Sequence, residues 1–309
     1  MKPRNPMRSP RQIAALALLL VLAAVAAYAV LADRNAHPAA HGAPTGSPPS
    51  ALPSATGSAA NGTSWIVSGS TLDGLVAADP ATAELLDTPD AYVLTGDAHW
   101  SVPDGWRSTP TASFTSYAAL ESAFARNSLD PRIRAVLYDN EHWSLTPQGE
   151  QADPAHYDQL AADLVHRHHL LFIAAPATDL VDRLSPQTPS GGKFDAFLRL
   201  GLLGQVARSA DLLDLQAQGA ENDPTLFASF VKAATAQARA ANPRLKVLAG
   251  ISTNPSGAKT SATAIDRAAR AVRPEVDGFW LNDPAHSPAC DACAGPFPQV
   301  ALRALRDLD

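Results

Sequence analysis

From about Trp65 onward the chain alternates short apolar runs with longer stretches in which apolar residues recur three or four positions apart. The short runs read as strands: Trp65 to Ser68, Ala91 to Thr95, Thr111 to Phe114, Ala135 to Asp139, Leu170 to Ala175, Leu212 to Gln218, Val247 to Ser252 and Gly278 to Asn282. The longer stretches read as helices: Tyr157, Leu160, Ala161, Leu164 and Val165 form one stripe, and Leu226, Phe227, Phe230, Val231 and Ala234 a second. Ile265, Ala268, Ala269 and Val272 form a third, and Val300, Ala301, Leu302 and Leu305 a fourth. Asp-Pro pairs at Asp79, Asp130, Asp153, Asp223 and Asp283 read as helix starts. There Asp can cap free first-turn amides, and Pro at the first helical position loses no hydrogen bond. Strands separated by single helical crossings pair in parallel with helices outside. Eight of them, with a helix last, predict a (β/α)8 TIM-like barrel as a single domain over 64–309, with a doubly wound sheet as the alternative.

The first residues have another character. Lys2, Arg4, Arg8 and Arg11 precede an unbroken apolar run from Ile13 to Ala32. A helical span takes about 20 apolar residues, whereas a signal-peptide core takes about 7 to 15. The basic flank would keep the N-terminus in the cytoplasm and everything after the run outside. Residues 1–32 are therefore expected to be a membrane anchor or a signal peptide, and the domain extracytoplasmic, tethered or secreted. Residues 33–63, rich in Ala, Pro, Ser and Gly, hold too little apolar surface to offset ordering entropy and read as a disordered linker. The 309-residue chain is 46% hydrophobic and carries a net charge of -6. It groups no basic residues outside the N-terminus, which argues against a nucleic-acid partner.

In either fold the carboxyl ends of the strands form the working face. Those ends carry Thr178 and Asp179, Gln216, Gln218 and Glu221, Ser252 and Asn254, and Trp280 and Asn282. The most chemical of them is Asp139-Asn140-Glu141-His142-Trp143. Alternation places Asp139, Glu141 and Trp143 on one face, and Tyr138, Asn140 and His142 on the other. Two carboxylates that close compete for ionisation, so one keeps a proton near neutral pH while the other stays charged. Glycoside hydrolysis uses that division of labour, and Trp143 and Trp280 offer flat apolar faces for sugar rings. On the sixth strand Asp214, Gln216 and Gln218 alternate with Leu213, Leu215 and Ala217, so the polar set should face the barrel axis.

Asp139-Asn140-Glu141 at a strand end, with Trp280 on the last strand, resembles the family 18 chitinase-like glycoside hydrolases. The resemblance implies a carbohydrate-active barrel in which Glu141 is the acid, Asp139 orients a substrate acetamido group and Trp280 floors the sugar pocket. Upstream of the pair this chain has Arg134, Ala135, Val136, Leu137 and Tyr138 where that family has further Asp and Gly residues.

Other motifs carry less chemistry. His166-Arg167-His168-His169 falls at a helix end on the face opposite the strand ends, where cations complement the helix dipole, so no metal site is expected from it. Cys290 and Cys293, the only cysteines, read as a small disulfide in an exported domain. No phosphate-cradling glycine spacing occurs, and no cofactor is expected. The reading is an extracytoplasmic glycoside hydrolase-like protein. Glu141 and Asp139 are its catalytic pair, and Trp143, Gln216, Gln218, Glu221, Asn254, Trp280 and Asn282 are its substrate-binding residues. The alternative is a non-catalytic extracellular carbohydrate-binding barrel. Its partners would be a carbohydrate or other small extracellular ligand and, through the N-terminal helix, the membrane.

Overall fold

A computed structural model of the chain describes residues 62–95, 102–189, 191–287 and 290–309. The expected anchor and almost all of the linker lie outside these residues. Among the described residues no helix is long and apolar enough to cross a membrane.

Eight strands close a barrel: β1 (Ser64–Ser68), β2 (Ala91–Thr95), β3 (Thr109–Phe114), β4 (Ala135–Tyr138), β5 (Leu171–Ala174), β6 (Leu212–Leu215), β7 (Lys246–Ser252) and β8 (Gly278–Asn282). They follow one another in chain order, every pair is parallel, and β8 pairs with β1. That last pairing excludes the doubly wound alternative, because an open sheet would leave both strands as edges. Ser64 and Gly278 are register partners, and a β-carbon on Gly278 would collide with the Ser64 backbone. Glycine is the residue that allows β8 to approach β1 so closely.

The strands read as apolar runs because both their faces are buried. Ile66, Tyr92, Leu137, Ile173, Leu212, Leu248 and Trp280 form the barrel interior. The alternate residues, among them Val67, Val93, Val136, Phe172 and Leu213, pack outward in a separate and larger core. The helices Pro154–Arg167, Pro224–Ala241, Ala262–Val272 and Pro298–Leu308 lie where the periodicity places them. Each turns a buried stripe, such as Ile265, Ala268, Ala269 and Val272, toward that core.

Two of the five Asp-Pro pairs start helices. Asp223 accepts from the amides of Thr225 and Leu226 at 3.1 and 3.0 Å, and Asp153 is the N-cap residue of its helix without a side-chain bond. The other three correct the expectation, because their carboxylates are engaged elsewhere. Asp79 accepts from the Ala81 amide in a turn, Asp130 from the Arg132 guanidinium, and Asp283 from the Thr253 hydroxyl and the Phe297 amide.

Two strands are shorter than the apolar pattern suggests: β4 ends at Tyr138 and β6 at Leu215. The backbone beyond β4 nevertheless keeps ladder bonds on both sides. Asp139 N–H donates to Phe114 O at 2.8 Å, and Ala177 N–H donates to Asn140 O at 3.0 Å. These bonds carry the strand alternation past the strand end. At the opposite end of the barrel, His166 Nε2 lies 2.8 Å from Asp211 Oδ2, which also accepts from the Phe172 amide. The histidine thus ties a helix end to the start of β5.

Candidate functional site

The alternation sorts the residues after β4 as expected. Tyr138 and Asn140 turn outward and are fully buried. The Tyr138 hydroxyl donates to Glu150 Oε2 at 2.5 Å, and Asn140 Nδ2 donates to Glu150 O at 3.3 Å. Asp139 and Glu141 turn to the other side and line a cleft of about 630 Å³ at the carboxyl ends of the strands. Trp143, Gln216, Gln218, Trp280 and Asn282 line the same cleft. Its walls come from loops after β1, β4, β5, β6 and β8, so residues far apart in the chain meet there.

The carboxyls of Asp139 and Glu141 lie beside each other and interact directly. Gln216 Nε2 donates to Asp139 Oδ1 at 2.7 Å and to Ala175 O at 2.9 Å, which fixes Asp139 from the side. Asp179 Oδ1 accepts from the His142 amide at 2.9 Å and so anchors the turn that follows Glu141. Burial drives both carboxyls of the pair above the ordinary carboxylate range. For Asp139 the Gln216 bond opposes that rise; for Glu141 the neighbouring Asp139 charge adds to it. Both carboxyls are thus raised, and Glu141 has the Asp139 charge as a further cause. Burial also raises Asp179.

Beneath the pair, Asp214 points into the barrel. It is fully buried, both its oxygens lack a partner among the described residues, and burial holds its carboxyl well above the ordinary range. Trp143 stands at the cleft rim, its Nε1 donating to Thr146 Oγ1 at 2.8 Å. Trp280 belongs to the barrel interior and presents only 8% of its surface, as a floor. Gln218 lies across β7, where a β-carbon on Gly250 would occupy the place of its amide.

Two of the expected binding residues stand apart from the cleft lining. Glu221 is fully buried and accepts from the amides of Gly219 and Ser252, each at 2.7 Å, while burial pushes it up to about 7. It pins the loop after β6 to the end of β7. Asn254 is also fully buried. Its side-chain amide sits among backbone groups, and the orientation that satisfies them turns its oxygen to the Ala294 and Gly295 amides at 2.9 and 2.8 Å and its nitrogen to Gly257 O at 3.2 Å. Both residues spend their polar atoms on backbone and correct the expectation that they face a ligand.

Cys290 and Cys293 form the expected disulfide, in the segment after β8 whose Pro284, Ala285, Ser287 and Cys290 make one cleft wall. Ser68, Ser70, Lys193 and Phe194 also line the cleft and were not singled out from the sequence. Ser68 ends β1 and was open to the same strand-end rule, whereas Lys193 and Phe194 begin a helix two loops away and carry no local signal.

No protein family matches the sequence, and no curated protein is similar to it. Similar solved structures include triosephosphate isomerase from Bartonella henselae, at 12% identity and a TM-score of 0.45 over 80% of this chain and 98% of that one. They also include a chitinase from Chromobacterium violaceum, at 14% and 0.44 over 79% and 99%. Bee venom hyaluronidase matches at 12% and 0.40 over 70% and 90%. Identity this low ties the chain to none of their activities.

The cleft can do acid chemistry. It holds two adjacent carboxyls that burial raises above the ordinary range, with tryptophans on two sides. Among the described residues no three His, Cys, Asp or Glu side chains are grouped to hold a metal ion.

Proposed function

We propose that the chain is an extracytoplasmic glycoside hydrolase acting on a polysaccharide or glycoconjugate, with Glu141 as general acid and Asp139 as its partner. The observation that carries this reading is the pair of adjacent, interacting carboxyls in a cleft bounded by Trp143 and Trp280. A pair in contact retains one proton near neutral pH, and Glu141, raised by burial and by the Asp139 charge, is read as its holder, ready for a glycosidic oxygen.

The same contact limits the mechanism. Enzymes that use one carboxyl as acid and the other as nucleophile hold them about 5–5.5 Å apart, and those that activate water between them about 6.5–9.5 Å. Carboxyls that interact directly lie closer than either arrangement needs. Asp139 therefore does not attack the anomeric carbon while Glu141 protonates the leaving oxygen. A substrate that brings its own nucleophile resolves the difficulty. In a 2-acetamido sugar the carbonyl oxygen attacks the anomeric carbon as the glycosidic bond breaks, and Asp139 accepts from the acetamido N–H. Glu141, now a carboxylate, then takes a proton from the water that opens the intermediate. This agrees with the roles implied by the resemblance to the chitinase-like hydrolases.

Residues 1–32 would act as the export signal or anchor, and the Cys290–Cys293 disulfide suits an oxidising compartment. The deciding experiment compares the wild type with Glu141→Gln on polysaccharides with and without 2-acetamido groups, following reducing ends and binding. Release by the wild type alone, restricted to acetamido substrates, is the expected result. Equal binding by both proteins with no release by either would replace the hydrolase with a carbohydrate-binding barrel.

A further inference from the structure

On the outer side of β4, behind the carboxyl pair, lies a group of buried polar side chains that the cleft does not use. The Glu150 carboxyl accepts from the Tyr138 hydroxyl at 2.5 Å, the Tyr117 amide at 2.8 Å and the Ser116 hydroxyl at 3.3 Å, and these donors are neutral. Asn140 borders the same bond: its Nδ2 donates to the Tyr138 hydroxyl at 3.4 Å and to Glu150 O at 3.3 Å. Asp158 belongs to the buried stripe of the helix Pro154–Arg167, which follows the short helix carrying Glu150 after the single residue Asp153. The Asp158 charge acts on the Tyr138 hydroxyl, and the Glu150 charge acts on Asp158, so all three side chains gather at that hydroxyl. Asn140 and Asp158 have no exposed surface, and Glu150 has 3%.

Three oxygens of this cluster have no partner among the described residues: Asn140 Oδ1 and both carboxyl oxygens of Asp158. With Asp158 ionised, all three only accept. Buried polar groups are normally paired, and a buried charge is paired or holds a metal. A proton on Asp158 supplies one donor and leaves an oxygen unmet. A water supplies two donors but brings lone pairs that a ring of acceptors cannot satisfy. A cation meets acceptors alone and offsets the two buried carboxyl charges. Because the cluster offers only oxygens, two carboxyls and one amide, it suits a hard cation. Magnesium demands near-octahedral geometry and keeps several waters, which a site without exposed surface does not accommodate. Calcium accepts carboxylates in irregular and bidentate geometry.

We infer that Asp158, Glu150 and the Asn140 amide oxygen form a structural cation site on the outer side of β4, which takes calcium. The ion ties the helix Pro154–Arg167 and the short helix before it to the end of the strand. Asn140 lies between Asp139 and Glu141 in the chain, and its backbone oxygen accepts from the Ala177 amide at 3.0 Å. Calcium on its side chain fixes the backbone between the two carboxyls from the side away from the cleft. The inference does not depend on what the cleft binds.

Terbium, a luminescent stand-in for calcium whose emission nearby tyrosines sensitise, reports a site beside Tyr138. The full chain, stripped with EDTA, should give sensitised terbium emission that calcium displaces. Its urea midpoint should rise with calcium concentration, since an ion bound only by the folded state stabilises that state by mass action. Asp158→Asn keeps the shape and removes a charged ligand. It should weaken calcium binding by about 10-fold or more, a loss that even outer-shell partners of a metal produce, and should flatten the calcium-dependent rise. Glu150→Gln, which keeps an acceptor for Tyr138, should do the same, so the test stands if the first variant does not fold. Absence of sensitised emission, or a midpoint equal in calcium and in EDTA, overturns the inference and leaves the oxygens to a proton or a water. A calcium effect that both variants retain in full overturns it too, because the ion then binds elsewhere. An equal effect of magnesium at the same concentration replaces the dry calcium site with a hydrated surface one.

Discussion

Asp214→Asn isolates one buried proton. Asp214 sits on β6 in the barrel interior with no exposed surface and no partner for either oxygen among the described residues, and burial raises its pKa far above the ordinary value. In the unfolded chain the same carboxyl titrates near about 3.9. Between that value and the raised one the folded state binds one more proton than the unfolded state. Stability therefore falls as pH rises through this window, by about 1.4 kcal/mol per pH unit for one proton. Asparagine has nearly the same shape and cannot ionise, so it removes this slope and little else. Wild type and variant should be similar in stability at the acidic edge of the window. Above it, the variant should gain about 1.4 kcal/mol on the wild type with each pH unit until the raised pKa is reached. Urea denaturation followed by tryptophan fluorescence, repeated in unit steps of pH, measures the difference. Other raised carboxyls, such as Glu221, cancel because both proteins contain them. A gap that stays constant with pH, or a variant that becomes the less stable one as pH rises, would refute the argument by showing Asp214 charged and stabilised in the fold.

Glu141→Gln should lower turnover by about 10²–10⁴-fold, the usual yield of a positioned acid, with ligand affinity retained in calorimetry. The alkaline limb of the rate profile should lie above the ordinary carboxylate range, because burial and the Asp139 charge both raise Glu141; Asp139→Asn should move that limb to lower pH in a stopped assay. Tyr138→Phe removes the 2.5 Å bond to buried Glu150 and should cost about 1–3 kcal/mol in chemical denaturation, with the aromatic packing kept. Reduction of Cys290–Cys293 opens a very short loop and should cost about 2 kcal/mol or less. Since Cys290 lines the cleft, reduction should weaken glycan binding more visibly than it lowers the melting temperature.

Much of the architecture is legible in local pattern. All eight strands lie where the apolar runs place them, because a strand buried on both faces needs apolar residues at nearly every position. The four helical stripes are equally visible, since each helix buries one face at a fixed period. The facing of Asp139, Glu141 and Trp143 also follows from the chain alone, because alternation is a property of extended backbone and the bonds to Phe114 and from Ala177 extend it past β4. The Asp-Pro pairs were less informative. An aspartate caps whichever amide is near, and three of the five found amides or cations outside a helix start.

Tertiary structure decided how the residues at the strand ends are used. Gln216, Glu221 and Asn254 look alike to a rule that reads strand ends, yet only Gln216 reaches the cleft. Glu221 is consumed by the amide of Ser252, and Asn254 by those of Ala294 and Gly295, which arrive from distant parts of the chain. A buried polar group must find a partner, and which partner arrives depends on how the loops close over the barrel. The contact between the Asp139 and Glu141 carboxyls has the same origin: spacing permits it, and Gln216 just past β6 and Asp179 from the loop after β5 hold it in place. By itself the sequence determined the strands, their inward faces and the carboxylates at the end of β4, because periodicity and burial act between near neighbours. The cleft, its walls and the raised pKa values of the Asp139 and Glu141 pair were decided only when the barrel closed, because desolvation and charge act across space between residues far apart in the chain.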